Sequence, residues 1–267
     1  MSSITQPGSR PHRELFVPAL LGILGIVLLL VAWQWGSVQV ASESALPGVP
    51  VVAQALVTLM GHGGFWAEAG MTLGIAVFGW AIAAIVGVAL GVLVGTSEIA
   101  YAATRVVLEF LRPIPAIVIL PLAMLVLGPT AEMGVFLVVF GVMLPIAAQT
   151  AAGVESVDPV MVNTARSFGL KPAEVLFRVI IPGASSYIGT AMRVAAPVTL
   201  IMAVVAGMLG GAPGIGNSLT VAQIAGRNED IFAYVLVLGC MGLMVQAVAA
   251  RAERRLLHWH SAYRKEN

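Results

Sequence analysis

The chain is poor in charge. Asp, Glu, Lys and Arg make up 10% of its 267 residues, against about a quarter in an ordinary soluble domain. With 59% hydrophobic residues, a water-soluble fold of this size would carry more apolar surface than it could hide. Lipid is the expected solvent. Cysteine is nearly absent, and Cys240 alone excludes an intramolecular disulfide and any multi-cysteine metal centre. It falls in an apolar run, where a packed, inert thiol is expected. Histidine is also scarce: His12, His62, His258 and His260 all fall in tails or loops. The His258 and His260 pair has no Cys or carboxylate partner beside it to complete a metal site. No acidic or basic residue falls in the middle of an apolar run, which argues against a proton relay. An ion-coupled secondary transporter built on backbone carbonyls and hydroxyls remains the alternative.

Uninterrupted apolar sequence is abundant. Uncharged stretches cover 15–42, 69–97, 113–131, 133–154, 194–226 and 231–250, each at least 19 residues long. About 20 helical residues at about 1.5 Å each cross a hydrocarbon core of about 30 Å. A helix also satisfies its backbone groups within one segment, as lipid demands. The runs are continuous instead of alternating, which disfavours strands. The expected fold is therefore an all-α membrane protein of six transmembrane helices. The first run, with its apolar core from Phe16 to Trp35, is too long for a cleaved signal and reads as a retained helix. With the N-terminus in the cytoplasm, 13 of the 14 Lys and Arg fall inside: Arg10, Arg13, Arg105, Arg112, Arg166, Lys171, Arg178, Arg193, Arg251, Arg254, Arg255, Arg264 and Lys265. Only Arg227 falls outside, as the positive-inside bias predicts, and both termini are expected to be cytoplasmic. The organisation is a tail at 1–14, a first helix and outer loop at 15–65, a five-helix domain at 66–250, and a basic tail at 251–267.

Two segments between the runs invite a chemical reading. Gly211-Ala212-Pro213-Gly214-Ile215-Gly216-Asn217-Ser218 has the spacing of a phosphate-binding loop but carries Asn217 where the lysine belongs. Without that charge the cradle loses its main contact to phosphate, so a glycine-rich turn is expected. The long inner loop at 155–193 looks structured. Asp158 suits a helix N-cap, Pro159 the first helical position and Gly169 the residue just past the end. The helix so bounded, about 159–168, sets Met161, Ala165 and Phe168 on one face. A second short helix is expected from Pro172 to near Pro182. Such an apolar-faced helix is either a docking element or an interfacial helix lying on lipid.

The same loop carries a resemblance. Asn163-Thr164-Ala165-Arg166-Ser167-Phe168-Gly169, followed by Val179-Ile180-Ile181-Pro182, resembles the EAA loop of ABC importer permeases. That pattern is Glu-Ala-Ala, three residues, Gly, then a spaced Ile-x-Leu-Pro. Ala165, Gly169 and Pro182 match it, Val179 and Ile181 are close substitutes, and Asn163 and Thr164 depart from it. Phe110-Leu111-Arg112-Pro113-Ile114-Pro115, Ala152 through Pro159, Gly214-Ile215-Gly216 and Arg254-Arg255-Leu256 are similar to the sulfonate, taurine and nitrate branch. The resemblance covers about 66–260. One departure is Val126 through Glu132, which stands where many members have Trp-Phe-Gly-x-Gly-Glu.

The resemblance implies a type I ABC importer permease fold in the bacterial inner membrane, with 66–250 as its transmembrane domain. It implies a second permease copy as a homodimer, two cytoplasmic ATP-binding subunits, and a periplasmic or lipid-anchored binding protein near 43–66 and 213–230. Met161, Ala165 and Phe168 would seat in the ATPase, Gly169 would permit the sharp exit, and Arg166 would lie at the rim, within a coupling element of Met161, Asn163, Thr164, Ala165, Arg166, Phe168, Gly169 and Pro182. ATP and Mg would belong to the partner, this chain holding no cofactor, no metal and no nucleic acid and being no enzyme itself. The solute would be a small organic anion or related molecule, of sulfonate, taurine, nitrate or aromatic acid type. Pro113, Pro115 and Pro121 would kink the third span or free carbonyls beside the pathway, with plain helix packing equally open. A reporter fused just after Phe168 should read out the cytoplasm; an outer-side signal there would overturn this topology.

Overall fold

The computed structural model describes residues 13–39 and 46–256. The expectations for Arg10, His12, His258, His260, Arg264, Lys265 and both termini lie outside the described residues. Among the described residues every regular element is helical. In chain order they are α1 (Arg13–Gln39), α2 (Val49–Gly61), α3 (Gly63–Thr96), α4 (Glu98–Leu111), α5 (Ala116–Leu127), α6 (Ala131–Glu155) and α7 (Pro159–Ser167). A short α8 (Pro172–Val175) passes through a π-helical turn (Leu176–Ile180) into α9 (Ile181–Gly210). Then come α10 (Ile215–Ile224) and α11 (Asn228–Leu256). Among the described residues five helices are long and apolar enough to cross a membrane: α1, α3, α6, the continuous α8–α9, and α11.

The third expected span, 113–131, takes a different form. α5 has 12 residues, about 18 Å at about 1.5 Å each, too short to cross alone. It follows the amphipathic α4 after a break at residues 112–115. Pro113 and Pro115 bring no N–H to the ladder. The regular bonds therefore end where Arg112 N–H donates to the Leu108 carbonyl (3.0 Å), and resume where Val118 N–H donates to the Pro115 carbonyl (3.0 Å). The expected stop at Pro182 is also absent. Ile181 N–H reaches back to the Leu176 carbonyl, and this wider turn absorbs the proline so that the helix continues. Arg193, expected at the start of a span, is thereby enclosed within a helix.

α3 and α6 form the centre. Gly79 lies on Val138, Gly87 on Met143 and Ile146, Gly91 on Ala147 and Thr150, and Gly95 on Val154. Residue numbers rise together, so the two helices run parallel. A Cβ at Gly87 would stand 2.8 Å from the Met143 carbonyl oxygen, and one at Gly91 would collide with the Ala147 carbonyl. In lipid, apolar burial drives helices together only weakly, and close backbone approach supplies the attraction. α9 lies antiparallel on α6, with Gly141 against Met202 and Gly153 against Tyr187. Met133, Leu137, Val142, Ile146 and Ala206 are buried between them.

The two ends of the bundle differ chemically. At one, Trp33 packs on Phe232 (5.7 Å between centroids) and donates to the Pro47 carbonyl (3.1 Å), while Trp66 donates to the Met60 carbonyl (2.9 Å). Such tryptophans suit a membrane interface. Of the described Lys and Arg, only Arg227 lies at this end, paired with Asp230 at 3.0 Å; the others lie toward the end that carries α7. Cys240 corrects its expectation: it is exposed on α11, because in lipid an apolar run turns residues outward as readily as inward. Gly91→Leu should cost about 1–3 kcal/mol by overpacking, read as a lower unfolding midpoint in detergent. Gly25→Leu, with nothing within 4 Å of the site, should leave the midpoint unchanged.

Candidate functional site

Local chemistry builds α7 as the sequence predicts. The Asp158 carboxylate accepts from Val160 N–H (2.8 Å) and starts the helix. At the other end Gly169 adopts φ 81°, the left-handed conformation that closes a helix most readily with glycine. Its N–H donates to the Arg166 carbonyl (2.9 Å), and Leu170 N–H donates to the Ala165 carbonyl (3.2 Å). These two bonds satisfy carbonyls that the ladder leaves over.

The helix is held out from the bundle. No residue of α7 is buried, and it packs chiefly on α8 and the π turn. Its supports are just outside it. Ser156 Oγ donates to the Gly153 carbonyl (2.7 Å) at the end of α6, Val157 packs on Gly183 of α9, and Val175 of α8 is buried. The Glu174 carboxylate accepts from Lys171 N–H (3.0 Å) and steadies the entry to α8. Met161 is 56% exposed and Phe168 81%. Ala165 lies between them at helical spacing and Thr164 beside Phe168, while Asn163 and Arg166 point to the far side. Phe177 on the π turn is exposed as well. Pro182 lies apart, in the second position of α9. The arrangement is a capped, rigidly hung helix that displays an apolar strip at the basic end.

The proline residues belong to a second structure. Pro113 and Pro115 make the break between α4 and α5, and Pro121 lies inside α5, where the ladder loses the bond to the Ile117 carbonyl. One side of α5 is buried, with Leu120 and Ala123 against Met133, Leu137, Ala206 and Ala212. Its other side, Val118, Leu122, Leu125 and Val126, is bare.

Sequence reading missed three features. Arg193 Nε lies 2.7 Å from Glu253 Oε2 on α11, and Thr190 Oγ1 donates to Glu253 Oε1 (3.3 Å). Glu253 is buried, so this pair ties α9 to α11 at the edge of an apolar groove of about 660 Å³ between α3, α9 and α11. A smaller cavity, about 250 Å³, lies beside the helix break and is lined in part by Tyr101, Glu109, Arg112 and Glu155. No local pattern announces partners so far apart in the chain. The glycine-rich 211–218 segment is a packing turn: Gly211 and Gly214 have φ 70° and 135°. Ile215 N–H donates to Thr72 Oγ1 (2.9 Å), and a Cβ on Gly207 would stand 2.9 Å from Asn217 N.

Known proteins are similar to this chain in sequence and in fold. The taurine transport system permease protein TauC of Escherichia coli (strain K12) is 28% identical over 239 residues, 88% of this chain and 87% of that protein. The nitrate import permease protein NrtB of Leptolyngbya laminosa is 29% identical over 196 residues, 73% of this chain and 70% of that one. The solved structure of an amino acid ABC transporter with histidines superposes with a TM-score of 0.60 at 22% identity, covering 72% of this chain and 94% of that one. That likeness is one of fold. Residues 85–258 match the family described as binding-protein-dependent transport system inner membrane component. The chain belongs to that family of membrane permeases.

Proposed function

We propose that this chain is the membrane-spanning permease subunit of an ATP-driven importer. In this reading it works as a pair with a second copy, is driven by two ATP-binding subunits on the cytoplasmic side, and is supplied by a binding protein on the outer side. The observation that carries the proposal is the display of α7. An apolar strip of Met161, Ala165 and Phe168, held at the basic end with none of its residues buried among the described residues, has the form of a helix made to enter a groove on another subunit. The basic end is then the cytoplasmic one. ATP and Mg belong to the partner, and the coupling residues of this chain are Met161, Thr164, Ala165, Phe168 and Gly169, with Asn163 and Arg166 at the rim.

The break before α5 supports a pathway beside it. Irregular backbone at membrane depth is tolerated only against protein or a water-filled path, not against lipid. The stretch from Arg112 to Pro115 is irregular backbone at the entrance to α5, and the bare face of α5 continues from it, with Leu125 83% exposed. That face therefore turns to the second copy and the pathway, which gives Pro113, Pro115 and Pro121 their role. The solute class is a small anion or related molecule, in keeping with relatives named for taurine and nitrate.

Ala165→Asp and Gly169→Asp should each abolish ATP-dependent uptake in vesicles while the chain stays in the membrane. Phe168→Ala should weaken capture of the ATP-binding subunit by about 2 kcal/mol, roughly thirtyfold, read by co-purification in mild detergent. Uptake by the chain alone without ATP would favour a secondary transporter instead.

A further inference from the structure

The groove between α3, α9 and α11 is apolar along its length and opens sideways. Trp80 of α3, Met192 of α9 and Val248 of α11 stand in its walls. Trp80 Nε1 donates to the Met192 carbonyl (3.2 Å), so the indole offers the groove only its apolar ring. Val77, Met244 and Val248 on its rim are each more than half exposed. Along α11 the lining runs from Met244 to Glu253, about 14 Å of helix and so about half of a hydrocarbon core of roughly 30 Å. α11 runs toward the basic end, which places that half in the inner leaflet.

Arg193 and Glu253 are the charged residues in the lining, and their needs differ. Both oxygens of Glu253 are engaged: Oε2 lies 2.7 Å from Arg193 Nε, and Oε1 accepts from Thr190 Oγ1 (3.3 Å). The Glu253 side chain is 5% exposed and that of Arg193 is 42%. Nε of Arg193 is enclosed against Glu253, and the Nη donors meet no other carboxylate among the described residues. A guanidinium open to lipid calls for an acceptor at that depth.

We infer that the groove is a binding site for one anionic phospholipid of the inner leaflet, with an acyl chain lying along α11 and the phosphate on the Nη side of Arg193. The inference goes beyond the permease reading and needs only that the basic end faces the cytoplasm. Walls without free polar groups suit an occupant without them, and methionines adapt to a flexible chain. The volume, about 660 Å³, falls within the roughly 300–1,000 Å³ of sites that enclose one small molecule. A phosphate matches the fork of a guanidinium. Arg251 and Arg254, within one turn of Glu253 on α11, add the positive potential that draws anionic lipid. A headgroup amine finds no free carboxylate, because Glu253 is already engaged. A helix from a second copy suits the groove less. This chain's own helices meet where glycine lets backbone approach backbone, whereas Trp80, Met192 and Val248 hold these walls apart.

The test is native mass spectrometry of the full-length chain in mild detergent. The probes are phosphatidylglycerol, phosphatidylcholine and diacylglycerol with the same acyl chains. One phosphatidylglycerol should stay bound, about tenfold more tightly than either other lipid. Arg193→Gln combined with Glu253→Gln leaves no lone buried charge and should lower phosphatidylglycerol to the level of diacylglycerol. Ala249→Leu keeps both charges but fills the groove, and should weaken all three lipids about tenfold. Gly25→Leu on α1 should alter none of them. Phosphatidylglycerol held no more tightly than diacylglycerol, or held unchanged by the double variant or by Ala249→Leu, would overturn the inference. Loss of the preference in Arg251→Gln as complete as in the double variant would assign it to the basic surface and overturn the site. A pair of copies that Ala249→Leu separates while lipid binding stays the same would give the groove to the second copy instead.

Discussion

The close approach of α3 and α6 is the contact on which the rest of the bundle is laid. Lipid offers no reward for hiding one apolar side chain behind another, so two helices adhere only where their surfaces fit at short range. Glycines at 79, 87, 91 and 95 bring the α3 backbone onto the side chains and carbonyls of α6. α9 is then laid on α6 from the other direction, and the turn at Gly214 is fastened to α3 through Thr72. α7 hangs where α6 ends and α9 begins, so its position depends on the same pair without touching it.

Around that centre the molecule separates closed surfaces from open ones. α3, α6 and α9 bury their small residues against each other, whereas α1 shows its leucines and isoleucines on all sides. Those of α1 need only lipid. The bare faces of α5 and α7 are different, because one adjoins irregular backbone and the other projects beyond the spans. Exposed apolar surface in these places calls for protein on the other side. The chain thus reads as part of an assembly from its own packing, and membership of a permease family agrees with that.

Features written in neighbouring residues were legible in the sequence. Asp158, Pro159 and Gly169 bound α7 because capping is a matter of a few adjacent groups, and the observed bonds are the expected ones. The long apolar runs gave most of the crossing helices, since length against bilayer thickness is simple arithmetic. Prolines were harder to read. Pro113 and Pro115 end a helix while Pro182 does not, and the difference lies in whether the surrounding ladder can widen to accommodate the ring. Contacts between distant residues left no local trace: Arg193 with Glu253 arises only when α9 and α11 are brought together.

The wide turn at Leu176–Ile180 holds one residue more than an ordinary helical turn would, and this slack sits between the projecting helix and the 30 residues of α9. Moving the surplus residue one step along the chain turns the residue it passes by about 100° while the helix on either side keeps its place. Only a bond or two of the ladder is exchanged in doing so. The joint therefore lets a side chain beside α7 be re-aimed without moving α9 as a rigid rod.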